Sequence, residues 1–424
     1  MTRFEKADQR RGRLKEGDTG KHLPLVGLLL LSTAIFVSMS TEFLPGGLIP
    51  QIAETFKRSP SDAGNLITVF ALTVIVTAAP LAVVTRRIPR KAMVLVSFAA
   101  IGAANALAGL SMTFEILLVA RILGAVAHGV FWSVVAAYPA SLVRPSQLGK
   151  ATAVTAAGGS VAGVLGIPLG NVLGQMFGWR VSFAALAGIT LLVLLLMVRF
   201  LPPITNFVSK PRTDDGGQPV QDSTLPAVLM ICFLILFVVA AQNAFGTYGV
   251  VWLLEVVKVG PQAIPVLLLA GGIASAVGVA LTGALYNRAP IRLFVCALAL
   301  MVSILFALAA AAESGYQAVV WILLILMGAV FGGIPLMLQT RMMWTASPRA
   351  RSMAAALQTT AFNVGIGGGA FMGGVVLERS SAEALPFFAA LVMFLAFLTA
   401  VSWEFKRQRN ARSPKFVARR EPAE

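Results

Sequence analysis

Twelve long apolar segments dominate this sequence of 424 residues, and they constrain its fold more than any other feature. Each segment is long enough to form the roughly 20 residues of helix that cross a bilayer. The composition agrees with this interpretation, since 57% of the residues are hydrophobic and only 12% are charged. An average soluble protein is about one-quarter charged. The sequence therefore predicts a polytopic membrane protein and excludes an ordinary water-soluble globule.

The apolar segments are predicted to be helices, because hydrocarbon offers no partner for unpaired backbone groups. The predicted fold is an all-α membrane protein with twelve transmembrane helices in two pseudo-symmetric six-helix halves. The predicted spans are 24–48, 62–84, 92–111, 115–143, 150–174, 180–201, 225–257, 264–286, 291–312, 316–340, 352–377 and 384–405. The predicted domains are an N-terminal tail (1–23), a first half (24–201), a linker rich in Pro, Gly and acids (202–224), a second half (225–405) and a basic tail (406–424).

The basic residues are distributed unevenly between the two sides of this predicted bundle. Of the 34 Lys and Arg residues, 28 lie in the tails or in loops on the side of the chain termini. Cationic loops stay in the cytoplasm during insertion, so both termini are expected to be cytoplasmic. The net charge of +16 is thus explained by membrane topology, and the expected partner is the lipid bilayer rather than nucleic acid.

Several kinds of chemistry lack their sequence signals. Cys232 and Cys296 both lie within apolar segments, which argues against a disulfide framework and a cysteine metal site. The sequence has neither a G-x-x-x-x-G-K-[ST] phosphate loop nor an H-E-x-x-H or G-x-S-x-G motif. We therefore expect no cofactor, no metal, no ATP-driven transport and no enzymatic activity.

An internal repeat connects the two predicted halves. The segment GAVAHG (124–129) recurs as GAVFGG (328–333). Glycines at a spacing of four follow in the next span of each half, and this spacing aligns them on one helix face that a neighbouring backbone can approach. These glycines are Gly166, Gly170 and Gly174 in the first half and Gly365, Gly369 and Gly373 in the second. Parallel repeats are typical of secondary transporters, although Gly-rich helices can also resemble one another by chance.

Several segments resemble the major facilitator superfamily, specifically its twelve-helix drug:proton antiporter branch, and most closely the bacterial sugar, arabinose and purine-ribonucleoside efflux permeases. They are TEFLPGGLIPQIAETF (41–56), SDAGNLITVFAL (61–72), RILGAVAHGVFW (121–132), GIPLGNVLGQMFGWR (166–180), QNAFGTY (242–248) and AFNVGIGGGAFMGG (361–374). The loop AVVTRRIPRK (82–91) departs from the family pattern, because Arg86 occupies the position of an acid. Its basic residues Arg86, Arg87, Arg90 and Lys91 are still expected to form a cytoplasmic gate loop.

The resemblance implies a monomeric transporter of the bacterial inner membrane that exports a sugar, nucleoside or drug-like solute in exchange for protons by alternating access. The alternative within transport is proton-linked import of a sugar or nucleoside. A remote alternative is a membrane sensor that transports nothing.

Three ionisable residues within predicted spans are candidates for proton coupling. Glu42 precedes Pro45, and a carboxyl group away from water favours its neutral form, which suits a reversible proton carrier. Its alternative is a solvated carboxylate at the outer mouth of the bundle. Arg121 lies at a depth compatible with an ion pair to Glu42, and it matches the family's arginine linked to proton transfer. It could instead only tie helices together through backbone carbonyls. His128 is two helical turns further along the same face, and a packing role is its alternative.

Uncharged polar and aromatic residues in the spans are candidates for substrate binding. They can orient a hydroxylated or amide-bearing solute, or they can only bond neighbouring helices and fill the core. The candidates are Trp132, Gln242, Asn243, Tyr248, Gln358 and Asn363.

Overall fold

The computed structural model describes residues 24–85, 88–135, 138–144, 147–203, 224–313, 316–347 and 350–411. The N-terminal tail, most of the predicted linker and the end of the basic tail lie outside these ranges. Arg86 and Arg87 of the predicted gate loop also lie outside them. The predicted domain boundaries therefore stay predictions.

Within these ranges the chain forms twelve helices that are long and apolar enough to cross a membrane, which confirms the predicted fold class. The helices are α1 Leu25–Phe56, α2 Pro60–Val84, α3 Arg90–Gly109, α4 Phe114–Val135, α5 (Leu148–Val161, Ala162–Gly166 and Ile167–Phe177), α6 Trp179–Phe200, α7 (Leu225–Gly246 and Gly249–Glu255), α8 Ile264–Leu285, α9 Pro290–Glu313, α10 Gln317–Thr345, α11 Arg351–Arg379 and α12 Ala384–Ala411. Helices α1–α6 are called the first set and α7–α12 the second set. The face where α1 begins and α12 ends is the terminal face, and the opposite face is the far face.

Helix α1 is longer than the sequence predicted, because it continues through Pro45 and Pro50 to Phe56 instead of ending near residue 48. It ends at Lys57, whose backbone is left-handed (φ 51°) and whose amide returns to the carbonyls of the last turn. A proline removes one helical hydrogen bond, but a helix continues if the freed carbonyl finds another donor. Thr41, four residues before Pro45, finds such a donor on α4.

Helices α5 and α7 are interrupted where the sequence predicted continuous spans. Helix α5 contains a π-helical turn, Ala162–Gly166, which ends two residues before Pro168. Pro168 has no amide to donate to the carbonyl four residues earlier, and the wider turn accommodates the missing bond. Helix α7 stops at Gly246, and a turn through Thr247 and Tyr248 leads into its second part.

The predicted glycine packing is present in both sets, with different neighbours. A methyl group added to Gly166 would meet the side chain of Ser40 on α1. At Gly365 an added methyl group would be 2.8 Å from Cβ of Val239 and 3.0 Å from the carbonyl oxygen of Leu236, both on α7. The remaining glycines continue these two contacts: Gly170 faces Leu44, Gly174 faces Leu48, Gly369 faces Ala240 and Gly373 faces Ala244.

The two sets meet in the middle of the bundle and at the far face. Thr68 Oγ1 on α2 donates to the Gly367 carbonyl on α11 over 3.3 Å. Gln175 Nε2 at the end of α5 donates to the carbonyl of Pro261, just before α8, over 2.8 Å. These contacts join the two sets from the middle of the bundle to the far face.

Candidate functional site

A buried polar cluster lies inside the first set, centred on Glu42. This residue is 4% exposed and lies 14 residues before the end of α1, so it is deep within the bundle. Its Oε2 is 3.5 Å from Nε2 of His128 on α4. The other imidazole nitrogen, Nδ1, is 2.9 Å from Oγ of Ser38 on α1. The imidazole therefore bridges a carboxylate and a hydroxyl, and either ring nitrogen can carry the proton when the ring is neutral.

Arg121 joins this cluster through the backbone of its neighbours. Its Nη1 donates to the Thr41 carbonyl over 2.5 Å, and its Nη2 donates to the Glu42 carbonyl over 3.0 Å. Its Nε is 3.4 Å from the Leu66 carbonyl on α2, and the guanidinium lies over the Phe70 ring at 4.2 Å. Pro45 has no amide to pair with the Thr41 carbonyl, so Arg121 satisfies a group that the helix leaves free.

The sequence allowed an ion pair between the Arg121 guanidinium and the Glu42 carboxylate, and the structure corrects this. The guanidinium binds the carbonyls of α1, and the carboxylate faces His128 instead. The physical reason is Pro45, which creates a carbonyl acceptor beside the carboxylate. The alternative role, in which Arg121 ties helices together through carbonyls, describes its contacts correctly.

Sequence reasoning missed two members of the cluster. Ser38 is four residues before Glu42, which is the spacing that puts two side chains on one helix face and could have identified it. Asn105 on α3 donates through Nδ2 to Oγ1 of Thr41 over 2.8 Å. Its side-chain amide within an apolar span is the sequence feature that could have identified Asn105. With Asn105, the cluster connects α1, α2, α3 and α4.

Trp132 is next to this cluster, and the structure brings it together with His128. The two ring centroids are 6.1 Å apart. Trp132 is half-buried, and its indole nitrogen is buried without a hydrogen-bond partner among the described residues. An acceptor can reach this nitrogen only if the surrounding groups move, because the atom has almost no exposed surface.

The predicted amide residues of the second set do not form one compact group. Gln242 and Asn243 lie near the level of Gly369, which packs against Ala240. Gln358 lies 11 residues before Gly369 on α11, about 16 Å of helix closer to the terminal face. The amide oxygens of three of these residues are buried without a hydrogen-bond donor in the described part of the chain, namely Gln242, Gln358 and Asn363. Asn243 donates to the Val239 carbonyl of its own helix.

Tyr248, the remaining substrate candidate, is fully buried at 0% exposure where the two sets meet near the far face. Its hydroxyl donates to the Ala370 carbonyl on α11 over 3.0 Å. In this arrangement the ring contacts protein on all sides, so no surface of it is available to a solute.

A buried ion pair lies in the second set near the terminal face. Arg341 on α10 pairs with Glu404 on α12, and both residues are buried. The Arg341 guanidinium also lies over the rings of Phe294, at 4.9 Å, and Trp403, at 5.4 Å. The pair therefore ties α9, α10 and α12 together.

The described part of the predicted gate loop makes one contact to a neighbouring helix. Lys91 Nζ donates to the Val198 carbonyl on α6 over 3.0 Å. Arg90, the first residue of α3, is partly exposed.

The fold and the buried charges define a multi-pass membrane protein whose polar groups lie inside a twelve-helix bundle. The model of the Major Facilitator Superfamily matches residues 31–346, and the chain belongs to this family. A probable sugar efflux transporter of Helicobacter acinonychis is 29% identical over 89% of this chain and 94% of its own length. A protein of the same description from Mannheimia succiniciproducens is 29% identical over 83% of this chain and 87% of its own length.

A solved structure of a D-xylose-proton symporter shares the fold, with a TM-score of 0.76 at 15% identity, over 89% of this chain and 97% of that chain. Together with the family, these relatives show that the chain is a transporter of small solutes and not an enzyme.

Proposed function

We propose that this chain exports a small uncharged solute, such as a sugar, in exchange for protons by alternating access. In this proposal the protein acts as a monomer in the bacterial inner membrane, with the terminal face in the cytoplasm. Residues 24–201 and 225–405 move as two units joined by the linker 202–224. The relatives described as probable sugar efflux transporters support the direction and the kind of solute.

The observation that carries the proton coupling is the buried pair of Glu42 and His128, 3.5 Å apart. Both side chains change charge when they take up one proton, and ionisable groups inside membrane helices are costly unless they serve a pathway. Arg121 contributes a fixed positive charge to the same cluster. One added proton therefore changes the net charge of the cluster by one and alters the contact between α1 and α4.

A ligand shifts a conformational equilibrium only through different affinities for the two states. In antiport, the proton and the solute must favour different states. Protonation of the cluster should therefore weaken solute binding, and binding to purified protein should fall as the pH is lowered. Tighter binding in acid would instead favour symport.

The uncharged polar groups of the interior support an uncharged, hydroxylated cargo. Within the described ranges, Gln242, Gln358 and Asn363 have buried amide oxygens without donors, and the buried indole nitrogen of Trp132 lacks an acceptor. Hydroxyl groups can both donate and accept, so a sugar could satisfy either kind. Asn243 and Tyr248 remain candidates for the same site in another state of the transport cycle.

The test uses proteoliposomes that are loaded with a labelled sugar and then exposed to acid outside. Antiport predicts that the inward proton gradient accelerates efflux of the sugar. Glu42→Gln, which cannot take up a proton, should abolish this acceleration. The matched control is Glu115→Gln, because Glu115 is an exposed acid that pairs with Arg58 at the far face.

Three outcomes would contradict the proposal in different ways. Sugar accumulation driven by the same gradient would support proton-linked import. Full acceleration in the Glu42→Gln protein would remove Glu42 from coupling. Folded protein without flux for a broad panel of solutes would revive a sensor without transport activity.

A further inference from the structure

Tyr248 occupies a notch between the two sets near the far face. It follows the first part of α7, and its ring reaches between α2 of the first set and α11 of the second set. Thr247, its neighbour, has its carbonyl oxygen 3.9 Å from the position of a methyl group at Gly46 on α1. The aromatic ring is thus enclosed by helices from both sets.

The notch exists because Gly64 has no side chain. A methyl group at Gly64 would lie 2.5 Å from Cζ and 2.6 Å from Cε1 of Tyr248, and closer still to the hydroxyl oxygen. Such overlap forces a shift, and a ring that is packed on all sides has little room to move. The absence of a side chain at Gly64 therefore makes room for the Tyr248 ring. Even the methyl group of an alanine at this position would exclude the ring from the notch.

The polar neighbours of the Tyr248 hydroxyl come from both sets. Its hydroxyl donates to the Ala370 carbonyl, which belongs to its own set. Ser61 of the first set contributes a hydroxyl to the same region. If the sets separated, the ring would leave Gly64 and Ser61 while its bond to Ala370 moved with it. Opening would therefore not leave the phenol unpaired, which avoids the main cost of exposing a buried polar group.

We propose that Tyr248 is a latch that closes the far face when its ring enters the notch at Gly64, and that it must leave this notch for the far face to open. The inference rests on the proposed alternating access of the two sets. It assigns Tyr248 a role in positioning the sets, in addition to any contact with cargo.

The test measures closure at the adjacent residues Ser59 and Glu378, whose side-chain oxygens are 3.5 Å apart across the two sets. Full-length protein with Cys232→Ala and Cys296→Ala receives Ser59→Cys and Glu378→Cys, and a short thiol crosslinker reports the closed fraction. Gly64→Ala should lower the ratio of closed to open protein by about fivefold or more. The matched control is Gly368→Ala on α11, since a methyl group there meets no atom of the described chain within 4 Å.

A second variant shows whether the effect depends on Tyr248 or only on disturbed packing around residue 64. Tyr248→Leu removes the ring without creating overlap and should lower the closed ratio by about threefold. Adding Gly64→Ala to Tyr248→Leu should cause no further fall, because the partner of the added methyl group is gone. Size-exclusion chromatography checks that each variant is folded.

Equal crosslinking in Gly64→Ala and Gly368→Ala would overturn the latch. Unchanged crosslinking in Tyr248→Leu would overturn it as well, and so would an additive fall in the double variant. The crosslink requires neither protons nor solute, so these results are separate from the outcome of the transport assay.

Discussion

In the first set, the glycines of α5 pack against side chains of α1, whereas in the second set the glycines of α11 pack mainly against the backbone of α7. Gly170 meets Leu44, and its counterpart Gly369 meets the backbone of Ala240. This correspondence aligns Leu44 with Ala240, and thereby Glu42 with Val238. The first set thus has side chains between its two helices where the second set has almost none.

The same comparison holds for the charged residues. Aligning GAVAHG with GAVFGG pairs Arg121 with Ile325 and His128 with Gly332. The second set therefore builds the same helix arrangement with apolar residues at the positions that hold the polar cluster in the first set. Packing alone does not require these charges. Since ionisable groups in a span are costly, the difference supports a functional role for the cluster in the first set.

The largest expected difference between the two sets concerns their buried acids, Glu42 in the first set and Glu404 in the second. Glu42→Gln should abolish the dependence of transport on a pH gradient, because it removes the proposed proton carrier of the first set. Glu404→Gln should preserve that dependence but lower the free energy of unfolding by about 3 kcal/mol, because it leaves Arg341 as a buried charge without its acid. The measurements are gradient-driven flux and unfolding in detergent.

Each of these two variants serves as the control for the other. Loss of gradient dependence in Glu404→Gln, with flux down a solute gradient intact, would show that coupling is spread over both sets. The polar cluster of the first set would then not be the sole site of proton coupling, and its absence from the second set would not support such a role.

Local features of the sequence predicted the helices well, and they identified glycines that lie at close helix contacts, but not which neighbours these glycines meet. The hydropathy of a span and the spacing of four between glycines are both properties of residues close together in the sequence. The structure has helices at the apolar spans and close helix contacts at these glycines. The end of α1 was not predictable in this way. The donor that supports the helix at Pro45 is Arg121, 80 residues beyond the carbonyl of Thr41 that it binds.

The sequence predicted the ionisable residues of the candidate site but not its neutral polar residues. Glu42 and Arg121 are conspicuous because charged residues within spans are rare. Ser38 and Asn105 were overlooked, because neutral polar residues in helices commonly bond only their own backbone. In the ranges that the structure describes, Asn243 bonds only the backbone of its own helix. Like Ser38 and Asn105, which contact other helices, it lies in an apolar span, so the sequence does not distinguish the two cases.

A smaller effect is expected from the glycines that distinguish the two sets. Gly373→Ala would bring a methyl group 3.0 Å from Cα of Ala244, and backbone cannot yield there, so a loss of about 1–3 kcal/mol in the free energy of unfolding is expected. Gly170→Ala would meet only the end of the Leu44 side chain, which can rotate. Both gain the same helix propensity, so Gly170→Ala should be close to neutral. Thermal unfolding measures the difference, and equal melting temperatures would contradict it.

The smallest expected effect isolates the bond between Arg121 and the carbonyl that Pro45 leaves free. The counterpart of Pro45 in the second set is Ala241, and an alanine there leaves the helical hydrogen bond in place, so that set needs no arginine. Arg121→Met should therefore destabilise the protein by about 1 kcal/mol less in a Pro45→Ala background, where the restored amide can pair with Thr41. A double-mutant cycle of unfolding free energies measures this coupling. Strict additivity would mean that Arg121 stabilises the first set through the charge of Glu42 or the ring of Phe70 rather than through this carbonyl.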